Sequence, residues 1–110
     1  LEHREKSDLI NWAQSPSLWR RRVALVATWP WIKHHSFEWT LRLAHQFLSA
    51  PEDLLHKATG WMLREVGKQS RSTLEAFLNT HAATMPRTAL RYALEHFSPS
   101  QRQSYMALGK

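Results

Sequence analysis

The stretch His56-Lys57-Ala58-Thr59-Gly60-Trp61-Met62-Leu63-Arg64-Glu65-Val66-Gly67-Lys68 decides how the chain folds. Together with Leu55, the apolar residues Ala58, Met62 and Val66 recur at the spacing of one helix face. Lys57, Trp61, Arg64 and Lys68 recur at intervals of four, three and four. At 3.6 residues per turn they fall within an arc of about 60°, largely separate from the apolar stripe. One helix therefore carries a core face and a cationic face with an indole set in it. Gly60 lies inside that helix, where it costs about 1 kcal/mol relative to Ala. Such a glycine marks the close approach of another backbone.

Working outward, the same helical period fills the chain, and no stretch alternates like a half-buried strand. Pro51-Glu52-Asp53 suits the start of this helix, since proline and acids favour an N-terminus. Upstream, helices are expected over 7–14, from 17 onward and after 36. Ser15-Pro16-Ser17 and Ser49-Ala50-Pro51 act as breaks, and Ser17 as an N-cap. Leu9, Trp12 and Ala13 should face inward, as should Leu18, Trp19, Val23, Val26 and Ala27. Pro30 should end or kink the second helix. Phe37, Leu41, Ala44 and Leu48 should face inward on the third. Downstream, helices are expected over 72–83, after Pro86 and over 101–108. Leu74, Phe77, Leu78 and His81 should line the first of these, and Leu90, Ala93, Leu94 and Phe97 the second. The fold class is all-α, six helices and a small seventh. Short turns make successive helices antiparallel neighbours, which fits either a compact bundle or stacked HEAT-type pairs. The pair spacing of about 35–40 residues is close to HEAT periodicity.

The 110 residues are enough for one domain, expected over 1–110. With 43% hydrophobic residues a core can form. No Cys is present, which removes disulfides, thiolate zinc sites and a cysteine nucleophile together. That composition suits a reducing cytosol, so the expected location is cytoplasmic. No apolar run nears the ~20 residues of a membrane span, and no secretory signal is visible. The net charge of +6 favours polyanions: nucleic acid, acidic lipid headgroups or acidic proteins.

Other constellations carry less. Arg20-Arg21-Arg22 spans about 200° of a helix, so the three cannot share a direction. Arg22 falls at the margin of the apolar stripe, either aimed at a ligand or held in an ion pair. Arg87 and Arg91 form a second basic pair at i and i+4. His34-His35 sits in a loop, and His81 reads as a core histidine. The nine acids form no pair suited to acid–base work, and no metal or organic cofactor is expected. From the residues alone, the Lys57–Trp61–Arg64–Lys68 face is either a solvated basic surface with Trp61 packed on a neighbour or a surface for phosphates and bases.

Three strings taken together resemble one family. They are Leu18-Trp19-Arg20-Arg21-Arg22-Val23-Ala24-Leu25, the stretch His56 to Lys68 quoted above, and Met85-Pro86-Arg87-Thr88-Ala89-Leu90-Arg91-Tyr92-Ala93. They are similar to the DNA alkylation repair glycosylases built from HEAT-like helical repeats. The resemblance covers nearly the whole chain, from Trp12 to about Tyr105. It implies an α-solenoid that wraps alkylated double-stranded DNA in a basic groove and excises N3- or N7-alkylated purines. It also implies that Trp61 and Arg22 face the lesion. Lys57, Arg64, Lys68, Arg87 and Arg91 would then contact the DNA backbone.

The family's catalytic Asp sits in a Trp-x-x-x-Asp string upstream of the region matching Leu1, so no catalytic acid is assigned here. The chain starts Leu1-Glu2-His3, without Met. It is therefore expected to be the C-terminal part of such an enzyme, nearly inactive alone. Self-association through the truncated end is a further expectation. The rival reading is a HEAT-like scaffold that binds protein or DNA without catalysis. A basic domain at anionic membranes is a weaker third, because these helices look packed rather than free.

Overall fold

Helix-breaking residues and apolar periodicity together set the element order. The computed structural model describes the backbone of residues 3–108 and the side chains of 7–108. Eight helices follow one another in it: α1 (His3–Ala13), α2 (Leu18–Val26), α3 (Trp29–Lys33), α4 (Glu38–Phe47), α5 (Asp53–Gln69), α6 (Arg71–His81), α7 (Arg87–Ala93) and α8 (Pro99–Leu108). No strand occurs among the described residues, so the fold is all-α. Ser17 caps α2 as expected, its side chain accepting from the Arg20 amide. Ser70 does the same for α6 through Thr73.

Pro30 does not end the second helix. α2 stops at Val26, and Pro30 sits in the first turn of α3, a five-residue helix that the sequence pattern did not suggest. A proline fits there because the first turn has no intrahelical acceptor for its missing N–H. α3 closes with a Schellman turn. The Ser36 amide reaches the Trp31 carbonyl at 2.9 Å, and the His35 amide reaches Ile32, also at 2.9 Å. His35 takes φ 60°, a conformation that favours glycine. His35→Gly should therefore stabilise the fold by about 0.5–1 kcal/mol, allowing for glycine's greater freedom when unfolded. A thermal melt checks this. A lower midpoint would mean that the His35 ring against Phe37, at 5.7 Å, contributes more than the relieved backbone.

α5 is the hub. It packs most extensively on α7 and also touches α2, α3, α4 and α6. Leu55, Ala58, Met62 and Val66 are buried as their spacing required, in a cluster with Leu25, Ile32, Leu43 and Phe47. Leu63 joins a second cluster with Leu74, Leu78, Leu90 and Leu94. Inside the first region, Thr40 Oγ1 donates to Thr28 Oγ1 (2.6 Å), which donates to the Leu25 carbonyl (2.7 Å). Both hydroxyls are fully buried and satisfied, tying the end of α2 to α4.

The inward face of α2 is not the expected one. Ala24 and Leu25 are buried, whereas Trp19 and Val23 are 62% and 47% exposed. Trp12 on α1 is 43% exposed, with Arg20 over its ring. α2 is apolar on two sides, and the larger side chains lie on the outer one. On α4, Trp39, Thr40, Leu43, Ala44 and Phe47 are buried, while Phe37, Leu41 and Leu48 pack only partly. His81 is half-buried, its ring 4.7 Å from His45 and 4.5 Å from Phe77. Burial, then the neighbouring His45, holds its pKa below the ordinary imidazole range.

Candidate functional site

The cationic face of α5 is bounded by α2 on one side and α7 on the other. α7 comes close because Gly60 has no side chain. A Cβ there would stand 2.5 Å from both the Ala89 carbonyl oxygen and Tyr92 Cβ. The mid-helix glycine thus marks the backbone contact that its position implied. Ala89 and Ala93 give α7 the small buried face this approach needs.

A cavity of about 250 Å³ opens where the three helices meet. Arg22 of α2 lines it, with Lys57, Trp61 and Arg64 of α5 and Tyr92 of α7. Leu54 and Ala58 complete its wall. Four of the residues singled out by sequence are therefore brought together from two helices. Trp61 is half-buried, and its ring meets the edge of Trp29 at 5.7 Å and 61°. Lys33 Nζ lies 4.8 Å from the centre of the Trp29 ring. Trp61 is thus both packed on a neighbouring helix and open to the cavity; the two sequence readings of it are not exclusive.

Within the arginine run, each residue has its own direction. Arg20 lies over Trp12. Arg21 makes a bidentate pair with Glu52 at 2.8 and 2.5 Å, joining α2 to the start of α5. That hydrogen bonding holds the Glu52 carboxyl below its ordinary range and raises Arg21 further. The structural ion pair is therefore made by Arg21. Arg22 faces the cavity and has no ion pair among the described residues.

The α5 cations are all matched to carboxylates: Lys57 to Asp53 (3.5 Å), Arg64 to Glu95 (2.5 Å) and Lys68 to Glu65 (3.0 Å). The Lys57–Asp53 pair is exposed on both sides and contributes only about 0–1 kcal/mol, whereas Arg64 and Glu65 are the more enclosed partners of the other two. Arg64 also lines an adjacent cavity of about 160 Å³ with Lys68, Arg71 and His96. Lys68 belongs to this second cavity and not to the first. Arg87 and Arg91 line neither one. Arg87 Nη1 donates to the Met106 carbonyl on α8, and Arg91 is exposed.

Tyr92, Leu54, Arg71 and His96 were not singled out by sequence. A signal for Tyr92 did exist: Ala89 and Ala93 form a small-residue face on α7, and Tyr92 borders it. No carboxylate lines the first cavity, and no group of three or more metal-ligating side chains occurs, among the described residues. None of the described helices is long and apolar enough to cross a membrane.

Within an all-helical fold, the cavity thus gathers an indole, two arginines and a lysine, a surface whose charge is complementary to an anion. The family described as DNA alkylation repair enzyme matches residues 1–97, and the chain belongs to it. No curated protein and no solved structure matches the chain significantly.

Proposed function

We propose that the chain is the DNA-facing, C-terminal part of a cytoplasmic N-glycosylase that excises N3- or N7-alkylated purines from duplex DNA, within a HEAT-like stack of helical pairs. The observation that carries this reading is the meeting of Arg22, Lys57, Trp61 and Arg64 in one cavity. An alkylated purine is already cationic and leaves readily. Its departure puts positive charge on the sugar, and the face of an indole favours that charge. Arg22 and Trp61 would approach the lesion nucleotide. Lys57, Arg64 and Lys68 would hold phosphates, each exchanging its carboxylate for a phosphate oxygen. Arg87 and Arg91 would meet the backbone further along.

A carboxylate near the sugar is the strongest stabiliser of the departing charge, and it positions water. The cavity has none among the described residues, so in this reading that group comes from outside them. The same observation favours a second reading, a scaffold that binds DNA or protein without catalysis. The exposed Trp12 and Val23, which line one open cavity, mark the surface where self-association would occur, and sedimentation would reveal it.

Base release from N7-methylated duplex DNA, measured for this chain and for the full product of its gene, tests the proposal. The full product should release the base. This chain should bind the duplex with a salt slope that falls by about one unit in Lys57→Ala or Lys68→Ala. Binding without release by either species would leave the scaffold standing and remove the glycosylase. Absence of duplex binding and of release by both species would remove the glycosylase and the DNA scaffold and leave a protein-binding scaffold.

A further inference from the structure

The cavity holds an aromatic residue that neither the cationic face nor the arginine run accounts for. Tyr92 reaches it from α7, on the far side of α5 from Arg22, where Gly60 admits the α7 backbone. Tyr92 is half-buried, and its hydroxyl has no hydrogen-bond partner among the described residues. The other tyrosine differs. Tyr105 Oη donates to Asn79 at 2.9 Å, and its ring packs edge-on against Phe97. A half-buried tyrosine whose hydroxyl is unspent presents a ready donor. Arg22, Lys57 and Arg64 line the same cavity as Tyr92, with Lys57 paired to Asp53 and Arg64 to Glu95. Three cationic residues and a tyrosine sharing a cavity with one indole fit a single nucleotide unit. The phosphodiester takes the donors, and the base or sugar takes the ring. Hydroxyl side chains commonly supply such phosphate contacts in protein–DNA interfaces.

We infer that Tyr92 binds the nucleotide held in this cavity, its hydroxyl donating to a phosphodiester oxygen while its ring closes the α7 side. This inference rests on the DNA reading above and extends it to a residue on a third helix. A neutral donor has a signature that distinguishes it from a lysine. It releases no counterion, so its loss weakens binding equally at every salt concentration and leaves the salt slope unchanged.

The experiment uses a fluorescently labelled, undamaged duplex oligonucleotide titrated with the unsubstituted chain, Tyr92→Phe, Tyr92→Ala and Tyr105→Phe. Tyr92→Phe should bind about tenfold more weakly, the scale of one hydrogen bond to a charged acceptor, with a parallel salt dependence. Its melting midpoint should be unchanged, because the lost hydroxyl has no partner within the described fold. Tyr92→Ala should lose more than Tyr92→Phe, and Tyr105→Phe should bind like the unsubstituted chain. If Tyr92→Phe binds normally while the unsubstituted chain binds well, the Tyr92 assignment is wrong and the DNA reading survives. If the unsubstituted chain does not bind, both are wrong. A fall in melting midpoint that accounts for the lost binding would make Tyr92 structural and overturn the inference.

Discussion

Gly60→Ala is expected to destabilise the fold by about 2 kcal/mol, close to the upper range for an overpacked site after the helix propensity of alanine is credited. The new methyl meets the Ala89 carbonyl and Tyr92 Cβ, each 2.5 Å away, and neither is a free side-chain end. α7 must move as a body. For a chain of this size the melting midpoint should fall by about 10 °C. Gly67→Ala provides the comparison within the same helix. Its Cβ would first meet Leu74 Cδ2, the far end of a flexible side chain, also at 2.5 Å. Leu74 can turn aside, so Gly67→Ala should be near neutral. Equal losses at the two positions would mean that the α5–α7 approach is not what Gly60 provides. Gly60→Ala should also weaken duplex binding, because moving α7 takes Tyr92 away from the cavity.

Trp61→Ala in the full gene product should slow release of alkylated purines by tenfold or more, on the scale of about 1–3 kcal/mol for a lost aromatic–base contact. Binding to undamaged duplex should weaken less, since Arg22, Lys57 and Arg64 remain. Trp61→Phe separates contact from packing. It keeps an aromatic face and part of the edge contact with Trp29, so it should recover much of the release rate. Should release and undamaged binding fall by the same factor in Trp61→Ala, the residue would be a structural partner of Trp29 and nothing more.

The core side of α5 was legible because Leu55, Ala58, Met62 and Val66 leave no doubt about which stripe is apolar. Leu90, Ala93, Leu94 and Phe97 read equally well. α2 misled because it is apolar on two sides. The Trp19–Val23 side has the bulk, but Ala24 and Leu25 have the neighbours, and only tertiary packing chooses between them. α3 is too short to show a period, and a proline at its start looks the same in sequence as a proline at the end of the preceding helix. For the site, the helix-face arithmetic of α5 named four residues, of which Lys68 lies at the adjacent cavity and Lys57, Trp61 and Arg64 meet at the first. Which cations share it depends on the neighbouring helices. Arg22 faces inward because Arg21 is drawn to Glu52, and Arg87 is directed elsewhere by the Met106 carbonyl. Neither partnership has a signature in local spacing.

α8 has no buried residue, whereas α5 is covered on several sides. α8 is joined to the rest by polar links, Arg71 to Gln101, Arg87 to the Met106 carbonyl, Arg102 to the Glu95 carbonyl and Tyr105 to Asn79, and by the partly buried Tyr105 and Met106. Lifting it away exposes only the partial apolar contacts of Tyr105 and Met106 with the second core cluster, so its opening requires a smaller part of the global unfolding free energy than opening α5. In deuterated solvent the α8 amides should therefore exchange early through local detachment. Those in the middle of α5 should wait for the whole chain to come apart.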